Sequence, residues 1–426
     1  MPELFRLFTL LRNRRLSGEQ LETLQNSRLR SMIHHACTTV PYYRDLFASA
    51  GIAPGDINTT ADLHLIPVTT KEDLRSAGLE RILSSGTAPS SCLKIPTSGS
   101  TGKPFLTYLS RDDWQSRRLV EFRTLLAIGF RPRDRLAVLG PARRHERRLH
   151  QRLGLYDSIN ISPTLPPDEQ LRLIRDFQPT ILWVYPTVLK ALLQRIDYRL
   201  SLFARPRILV SSAEAFDHAM AKHLRADLDL ALFDFYGSNE LGRIAAECPA
   251  HGGLHVNADH LVLECLDDGH AAAPGLPGSA VITTLNAFAM PYIRYHLGDV
   301  CTVLGTNCSC GCALPLIDHP RGRKTDVIRL PSGDTRSPWG VDYILREVEG
   351  LDQFRLIQED LHHFRLLTVF RTPPRPIGIS SIRSRLLEYL SEPVDLKVLV
   401  VDSIQQEHSK FRAFVSNISD SGNTNT

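Results

Sequence analysis

The 426-residue sequence has no apolar run approaching the roughly 18 residues that a membrane-spanning helix needs, so a helical membrane span is excluded. It has little net charge. Its 50 Lys and Arg against 46 Asp and Glu leave +4, too small an excess at this length to argue for a nucleic-acid partner. It has no convincing secretion signal, because the opening stretch MPELFRLFTLLRNRRL is broken by Arg6 and lacks a small-residue cleavage site. Internal repeats are also missing. A reducing, cytoplasmic setting is therefore expected, in which the eight cysteines favour metal binding over disulfides. What is there is ordinary: 42% hydrophobic and 23% charged residues, the balance of a soluble globular chain long enough to build more than one domain.

The opening stretch reads as a short amphipathic helix with a basic end. Packing against the body of the protein is its first reading and contact with a membrane surface its second. Ser17, with Glu19 and Gln20 close behind, reads as the N-cap of a helix, and VPYYRDLF follows with a proline start. The apolar runs at 134–140 and 180–185 read as buried strands around the amphipathic helix PPDEQLRLIRDFQP. A further helix, TVLKALLQRI, and a strand-then-loop, PRILVSSAEAF, complete an alternating α/β pattern. From about 256 to 322 the texture is β-rich, with Gly, Pro and Asp turns. Beyond residue 326 the order β-β-α-β reads as a small separate α+β unit. The expected domains are 1–326, 327–416 and a polar, disordered tail 417–426, with a linker near 323–333.

The stretch TSGSTGKPF at 97–105 combines two glycines, four hydroxyls and a lysine, with no helical or strand period. Backbone N–H groups, hydroxyls and Lys103 in such a loop suit a phosphate; a polar surface turn is the plain alternative. It is not a Walker loop. Counting back from Gly102, the first glycine position holds Thr97, and the position after Lys103 holds Pro104.

Three more stretches stand with it: FDFYGSNELG at 233–242, YIRYHLGDV at 292–300 followed by GRKTD at 322–326, and HSKFRAF at 408–414. In order and spacing the four resemble the adenylate-forming superfamily of acyl-CoA synthetases and adenylation domains. SRLRSMIHHACTTVPYYRDLF, IPVTTKEDLR, ECPAHGGLHVNADH, AMPYIRYHLGDV and CSCGCALPLI are similar to the phenylacetate-CoA ligase branch and its capsule-biosynthesis relatives. The resemblance runs from about Ser17 to Phe414. It implies an α/β fold with a large N-terminal domain of several subdomains and a small mobile α+β C-terminal domain. It also implies a two-step reaction in which a carboxylic acid attacks ATP to give an acyl-adenylate and pyrophosphate, and CoA then displaces AMP. An amine or a carrier-protein thiol as acceptor, and a catalytically weak nucleotide- and zinc-binding homologue, stay open as alternatives. A homodimer is compatible with the sequence.

The resemblance assigns roles residue by residue. Thr97, Ser98, Gly99, Ser100, Thr101, Gly102 and Lys103 would hold the β- and γ-phosphates. Glu240 would hold magnesium, a hard cation that takes oxygen ligands. Ser212, Ala213 and Glu214 would line one side of the adenine, and Tyr236 would stack on the other. Asp234, Phe235, Gly237, Ser238 and Asn239 complete that nucleotide-binding strand and turn. Asp299 would accept the ribose hydroxyls, Arg323 would add a ribose contact, and Lys410 would bridge substrate carboxylate and α-phosphate. Taken singly, each of these is more ordinary. A Gly-Asp pair is a turn, and a lone Glu or Lys is a solvated surface group.

The sequence also departs from the pattern. Asn239 stands where the family has Thr or Ser. Glu407-His408-Ser409 precedes Lys410 where Ser-Gly is usual, and Thr325 stands where Asp is common, near the expected hinge at Thr325-Asp326. Cys248, His251 and His255 are followed some sixty residues later by Cys308, Cys310 and Cys312. Thiolates and imidazole suit tetrahedral zinc. The resemblance selects Cys248, His255, Cys308 and Cys310, with His251 as the rival histidine and Cys312 as a spare thiol; buried free thiols without metal are the alternative. The run RRHERRLHQR at 143–152 reads as a solvated helix face or as a contact for CoA phosphates. Trp183, Tyr185, Phe216 and Phe235 mark a region where an aryl or other apolar acid would fit, although aromatics also simply fill cores.

Overall fold

A computed structural model describes residues 2–97, 105–140, 149–162, 165, 167–196, 199–212, 224, 230–320, 328–333, 335–336, 341, 344–345, 348–371, 376–404 and 413–418. The chain divides into two compact units, one extending to Pro320 and one beyond it.

The large unit starts with three helices, α1 (Pro2–Asn13), α2 (Gly18–Thr39) and α3 (Pro41–Ser49). The Ser17 hydroxyl accepts from the Gln20 N–H at 3.2 Å, and the Gln20 side chain accepts from the Ser17 N–H at 3.0 Å. This reciprocal cap explains why the helix begins where the sequence indicates. The inner stripe of α2, with Leu29, Ile33 and Ala36, packs on Tyr43 and Phe47 of α3. Two short helices follow, α4 (Lys71–Ala77), capped by Thr70, and α5 (Leu79–Ile82).

Strands β1 (Leu93–Thr97) and β2 (Phe105–Leu109) pair as an antiparallel hairpin in which Thr97 faces Phe105. Of the expected phosphate loop at 97–105, Thr97 and Phe105 are the paired strand ends, and residues 98–104 between them lie outside the described residues. Next come α6 (Arg111–Ala127), β3 (Arg135–Leu139), α7 (Leu149–Arg152), β4 (Asp157–Ile161), α8 (Pro167–Phe177), β5 (Ile181–Val184), α9 (Pro186–Arg195), β6 (Ile208–Ser212) and β7 (Ala231–Ser238). Strands β3 to β7 pair in parallel, and the central apolar residues of β5, β6 and β7 are buried, as in a sheet covered on both faces, while β4 lies at its margin.

From β7 the pairing turns antiparallel. Strands β8 (Gly242–Glu247), β9 (Leu254–Val256), β10 (Leu261–Asp267), β11 (His270–Ala271), β12 (Pro277–Thr284), β13 (Tyr295–Gly305) and β14 (Leu316–Ile317) follow. The β-rich stretch therefore forms no separate sheet. Among the described residues it continues the parallel half in one twelve-stranded order, β11-β10-β12-β13-β14-β9-β8-β7-β6-β5-β3-β4.

The small unit contains β15 (Ile328–Arg329), β16 (Thr335–Arg336), β17 (Leu351–Gln358), β18 (His363–Phe370), α10 (Pro376–Leu390), β19 (Asp395–Val400) and β20 (Phe414–Ser416). Its sheet runs β19-β18-β17-β20 and packs Leu356, Phe364 and Leu366 against Ile382 and Leu386 of the helix. The expected linker at 323–333 needs correction in its second half. Ile328 and Leu330 are fully buried in this core, and β15 pairs with β16, because two apolar side chains here gain more from burial than from a solvated connection. The expected hinge at 325–326 lies outside the described residues, as do residues 419–426 of the tail. Among the described residues no helix is long and apolar enough to cross a membrane.

Candidate active site and metal centre

The turn between β7 and β8 gathers the first group of side chains. A Cβ on Gly237 would run into the carbonyl oxygen of Gly242, so only glycine lets the two strands approach this closely. The Leu241 N–H donates to the Ser238 hydroxyl at 3.2 Å and tightens the turn. Tyr236, at the strand end, donates its phenol to Asp299 Oδ2 at 2.8 Å. Two stretches far apart in sequence thus meet at one point of the sheet.

Glu240 leaves the turn nearly buried, at 7% exposure. Its carboxylate accepts from Lys71 Nζ at 3.2 Å, at the first turn of α4. Its main-chain carbonyl accepts from Arg117 of α6, which also reaches the Asn239 carbonyl at 3.1 Å. Burial pulls the Arg117 guanidinium down to about 10, while Tyr292, Asp113 and Glu240 act to hold it charged. Asn239 turns its amide towards the β1–β2 hairpin and donates to the Pro96 carbonyl at 2.9 Å. A nearly buried carboxylate with one cation already beside it offers hard oxygen donors, the chemistry magnesium takes.

Further along the same two strands, β7 and β8, lie two carboxylates. Glu247 accepts the Asp234 N–H at 2.9 Å and contacts His251 Nδ1 at 2.8 Å. Burial pushes the Asp234 carboxyl up to about 6, with His319 opposing the rise and Glu247 adding to it. Trp183 donates its indole N–H to Ser212 Oγ at 2.7 Å and meets Phe235 edge-on at 5.6 Å. The Arg243 guanidinium lies 5.1 Å from the Trp183 ring and 4.7 Å from the Phe235 ring, and its fork holds Glu121. The aromatic region read from the sequence is thus a pair of rings capped by a cation.

The second group is a cysteine–histidine cluster. The ligand atoms of Cys248, His255, Cys308 and Cys310 all lie within 4.8 Å of one another, a set able to hold a metal ion. Cys248 Sγ is 3.6 Å from Cys308 Sγ, and His255 Nε2 is 3.2 Å from Cys310 Sγ. His255 Nδ1 faces the Leu314 carbonyl at 2.9 Å, which orients the ring and leaves Nε2 for the cluster. Burial raises the Cys308 thiol, but the Cys310 N–H and neighbouring side chains outweigh it and bring it to about 7. His251 is turned away: it bonds Glu247 and stacks on Phe233. Cys312 is buried beside His255, and its N–H donates to Cys310 Sγ at 3.4 Å.

The structure therefore brings together Tyr236, Gly237, Ser238, Asn239, Glu240 and Asp299, and separately the four metal-site candidates. Ser98, Gly99, Ser100, Thr101, Gly102, Lys103, Ala213, Glu214, Phe216, Arg323 and Lys410 lie outside the described residues. Of the basic run, only 149–152 is described, as α7. Sequence reasoning missed Lys71 and Arg117. Lys71 follows a helix cap within TTKED, a local signal of a helix start and not of a site. Arg117 sits among other charges on α6 with no local signal at all.

Comparison with known proteins places the chain among others. No protein-family model matches it. It is 29% identical over 342 residues, 73% of each chain, to a phenylacetate-coenzyme A ligase of Escherichia coli (strain K12). It is 29% identical over 349 residues to the enzyme of the same name from Thermus thermophilus, covering 74% of this chain and 72% of the relative. A 2-hydroxyisobutyryl-CoA ligase, crystallised in its postadenylation state with 2-HIB-AMP, superposes with a TM-score of 0.81 at 17% identity, covering 95% of this chain and 91% of that one. At that identity the likeness is one of fold.

Proposed function

We propose that the chain, which is similar to phenylacetate-CoA ligases at 29% identity and shares the fold of an acyl-CoA ligase, is an ATP-dependent, AMP-forming acid–CoA ligase of the adenylate-forming superfamily. A carboxylate oxygen of the acid attacks the α-phosphorus of ATP, and the bond to pyrophosphate breaks. The CoA sulfur then attacks the acyl carbon and AMP leaves. The observation that carries this reading is the bond between Tyr236 and Asp299 at the end of β7, with Asn239 and Glu240 in the turn that follows and Asn239 bonded to strand β1.

The residue roles are those the resemblance implies, and the charge of the reactants is consistent with them. Anion attacks anion, so donors and cations must stand where negative charge accumulates. Thr97, Ser98, Gly99, Ser100, Thr101, Gly102 and Lys103 hold the β- and γ-phosphates. Glu240 holds magnesium, which supplies neutralisation of phosphate charge. Tyr236, with Asp234, Phe235, Gly237, Ser238, Asn239, Ser212, Ala213 and Glu214, receives the adenosine, and Asp299 and Arg323 accept and donate at the ribose. Lys410 pairs with the substrate carboxylate during the first step. The acid is aryl or otherwise apolar, a reading supported by the Trp183–Phe235 pair. The setting is cytoplasmic.

The Cys248–His255–Cys308–Cys310 set holds structural zinc in this reading. Sulfur and nitrogen ligands at zinc distances and tetrahedral angles stand roughly 3.5–3.8 Å apart. The pairs at 3.6 and 3.2 Å are close to that spacing. A set with four protein ligands leaves no open position, so its role is to hold loops and not to react.

One observation favours a second reading, a catalytically weak nucleotide-binding homologue. The Asn239 amide is spent on Pro96, at the position where a hydroxyl would face the α-phosphate. Pyrophosphate release from ATP and magnesium, measured against a panel of acids without acceptor, separates the two. Acid-dependent release abolished by Lys410→Ala and Glu240→Ala supports the ligase, and added CoA then consumes the adenylate. Release that stays at background across the panel, and appears only in Asn239→Thr, supports the weak homologue.

A further inference from the structure

Helix α1 is fixed to the body of the large unit by one side. Arg6 pairs with Asp112 at 2.7 Å, Glu3 accepts from Gln115, and Arg123 donates to the Leu10 carbonyl at 3.1 Å. The Asn13 amide donates to Asp259 at 2.8 Å, and the Arg14 carbonyl accepts from the Ala313 N–H at 2.8 Å. At about 100° per residue, Glu3, Arg6, Leu10 and Asn13 share one arc of the helix, the anchored one.

The opposite arc holds Leu4, Phe5, Phe8 and Arg12. Leu4 is 55% exposed, Phe5 75% and Phe8 62%. Most proteins hide such rings, and here two lie side by side on a helix that cannot roll over to bury them, because its other side is bonded. Beyond them, at the C-terminal end of the helix, Arg12 and Arg15 are exposed. The arc thus carries apolar side chains and cations and no acid. A second copy of the same arc would offer no counter-charge; an anionic lipid surface offers both the counter-charge and an apolar layer.

We propose that the outer face of α1 docks the protein on an anionic lipid surface, with Leu4, Phe5 and Phe8 entering the headgroup–acyl boundary and Arg12 and Arg15 pairing with lipid phosphates. The helix lies in the interface plane and spans nothing. The face is preformed, so little conformational order is lost on docking. This inference is independent of the catalytic reading.

The test is co-sedimentation of the full chain with phosphatidylcholine vesicles, with and without about one quarter phosphatidylglycerol. Binding is expected only to the anionic vesicles, weakening as salt is raised. Phe5→Ser with Phe8→Ser is expected to lower partitioning at least tenfold, and Arg12→Glu with Arg15→Glu to lower it comparably. Phe8→Trp, which keeps the face apolar, is expected to show a blue-shifted emission on adding anionic vesicles. Unchanged melting temperature and pyrophosphate release in these variants show that the fold is intact. Absence of vesicle binding, equal binding by the serine variant, or no shift in the Trp variant overturns the proposal. So does light scattering showing a dimer that the serine variant converts to monomer, which assigns the face to a second copy.

Discussion

Glu240 is contacted by two cations at once, Lys71 on its carboxylate and Arg117 on its carbonyl. The arrangement fixes both the direction of the side chain and the height of the turn. Removing Lys71 leaves a nearly buried carboxylate without its partner, an arrangement that costs free energy and loosens the side chain. Lys71→Met is expected to slow acid-dependent pyrophosphate release at least tenfold, with Lys71→Arg recovering part of the loss. Equal rates in wild type and Lys71→Met would show the ion pair to be incidental. Asn239 and Glu240 are neighbours with opposite commitments: one is bound to the hairpin strand β1, the other to helix α4.

At the scale of elements, the cysteine cluster brings the end of β8 and strand β9 together with the loop before β14. Cys248 and His255 come from one side, Cys308 and Cys310 from the other. Strand β14 is only two residues long and has little pairing of its own to hold it in the sheet. Metal removal by chelation, or Cys248→Ser, is expected to release about one equivalent of zinc and lower the melting temperature by several degrees. Elemental analysis beside the melt checks both; a full metal content in Cys248→Ser would refute the ligand set. The elements differ in how legible they were. Helix α2 announced itself through Ser17 and Gln20, and strands β3 and β5 through short apolar runs between turn signals. Strand β4, DSINI, did not, because alternating polar residues at its edge position leave only Asp157 and Ile161 buried. The linker was read too long because Pro331, Ser332 and Gly333 carry turn chemistry while Ile328 and Leu330, just before them, carry core chemistry. At the candidate site, order along the chain drew attention to Tyr236, Glu240 and Asp299. The partners Lys71 and Arg117 are legible only once distant elements are brought together.

The large unit as a whole is tied at its centre by a buried polar network. Arg123 forks onto both Asp259 oxygens at 2.7 and 2.9 Å, and Asn13 adds a third bond. Burial would raise Asp259, but Arg123 and Asn13 outweigh it and hold the carboxyl at about 2. Next to it, burial holds the His260 imidazole down at about 3 against an ordinary 6.5, with Asp259 opposing and Arg123 and Arg28 reinforcing. Both groups act in the same direction. As pH falls below about 6.5 the unfolded chain protonates His260 and the native state does not, and below about 4 the same holds for Asp259. Stability from the pair is therefore present at neutral pH and lost on acidification. His260→Gln is expected to flatten the fall in melting temperature between pH 7 and 5; an unchanged slope would place the acid sensitivity elsewhere. The twelve-stranded order has a consequence in time. His255 lies 55 residues before Cys310 in the chain, so at roughly 5–20 residues per second of synthesis the first half of the cysteine–histidine cluster waits about 3–11 s for the second. Strand β9 waits with it for β14. During that interval a growing chain exposes an open strand edge, one thiol and one imidazole, which the later segments then cover.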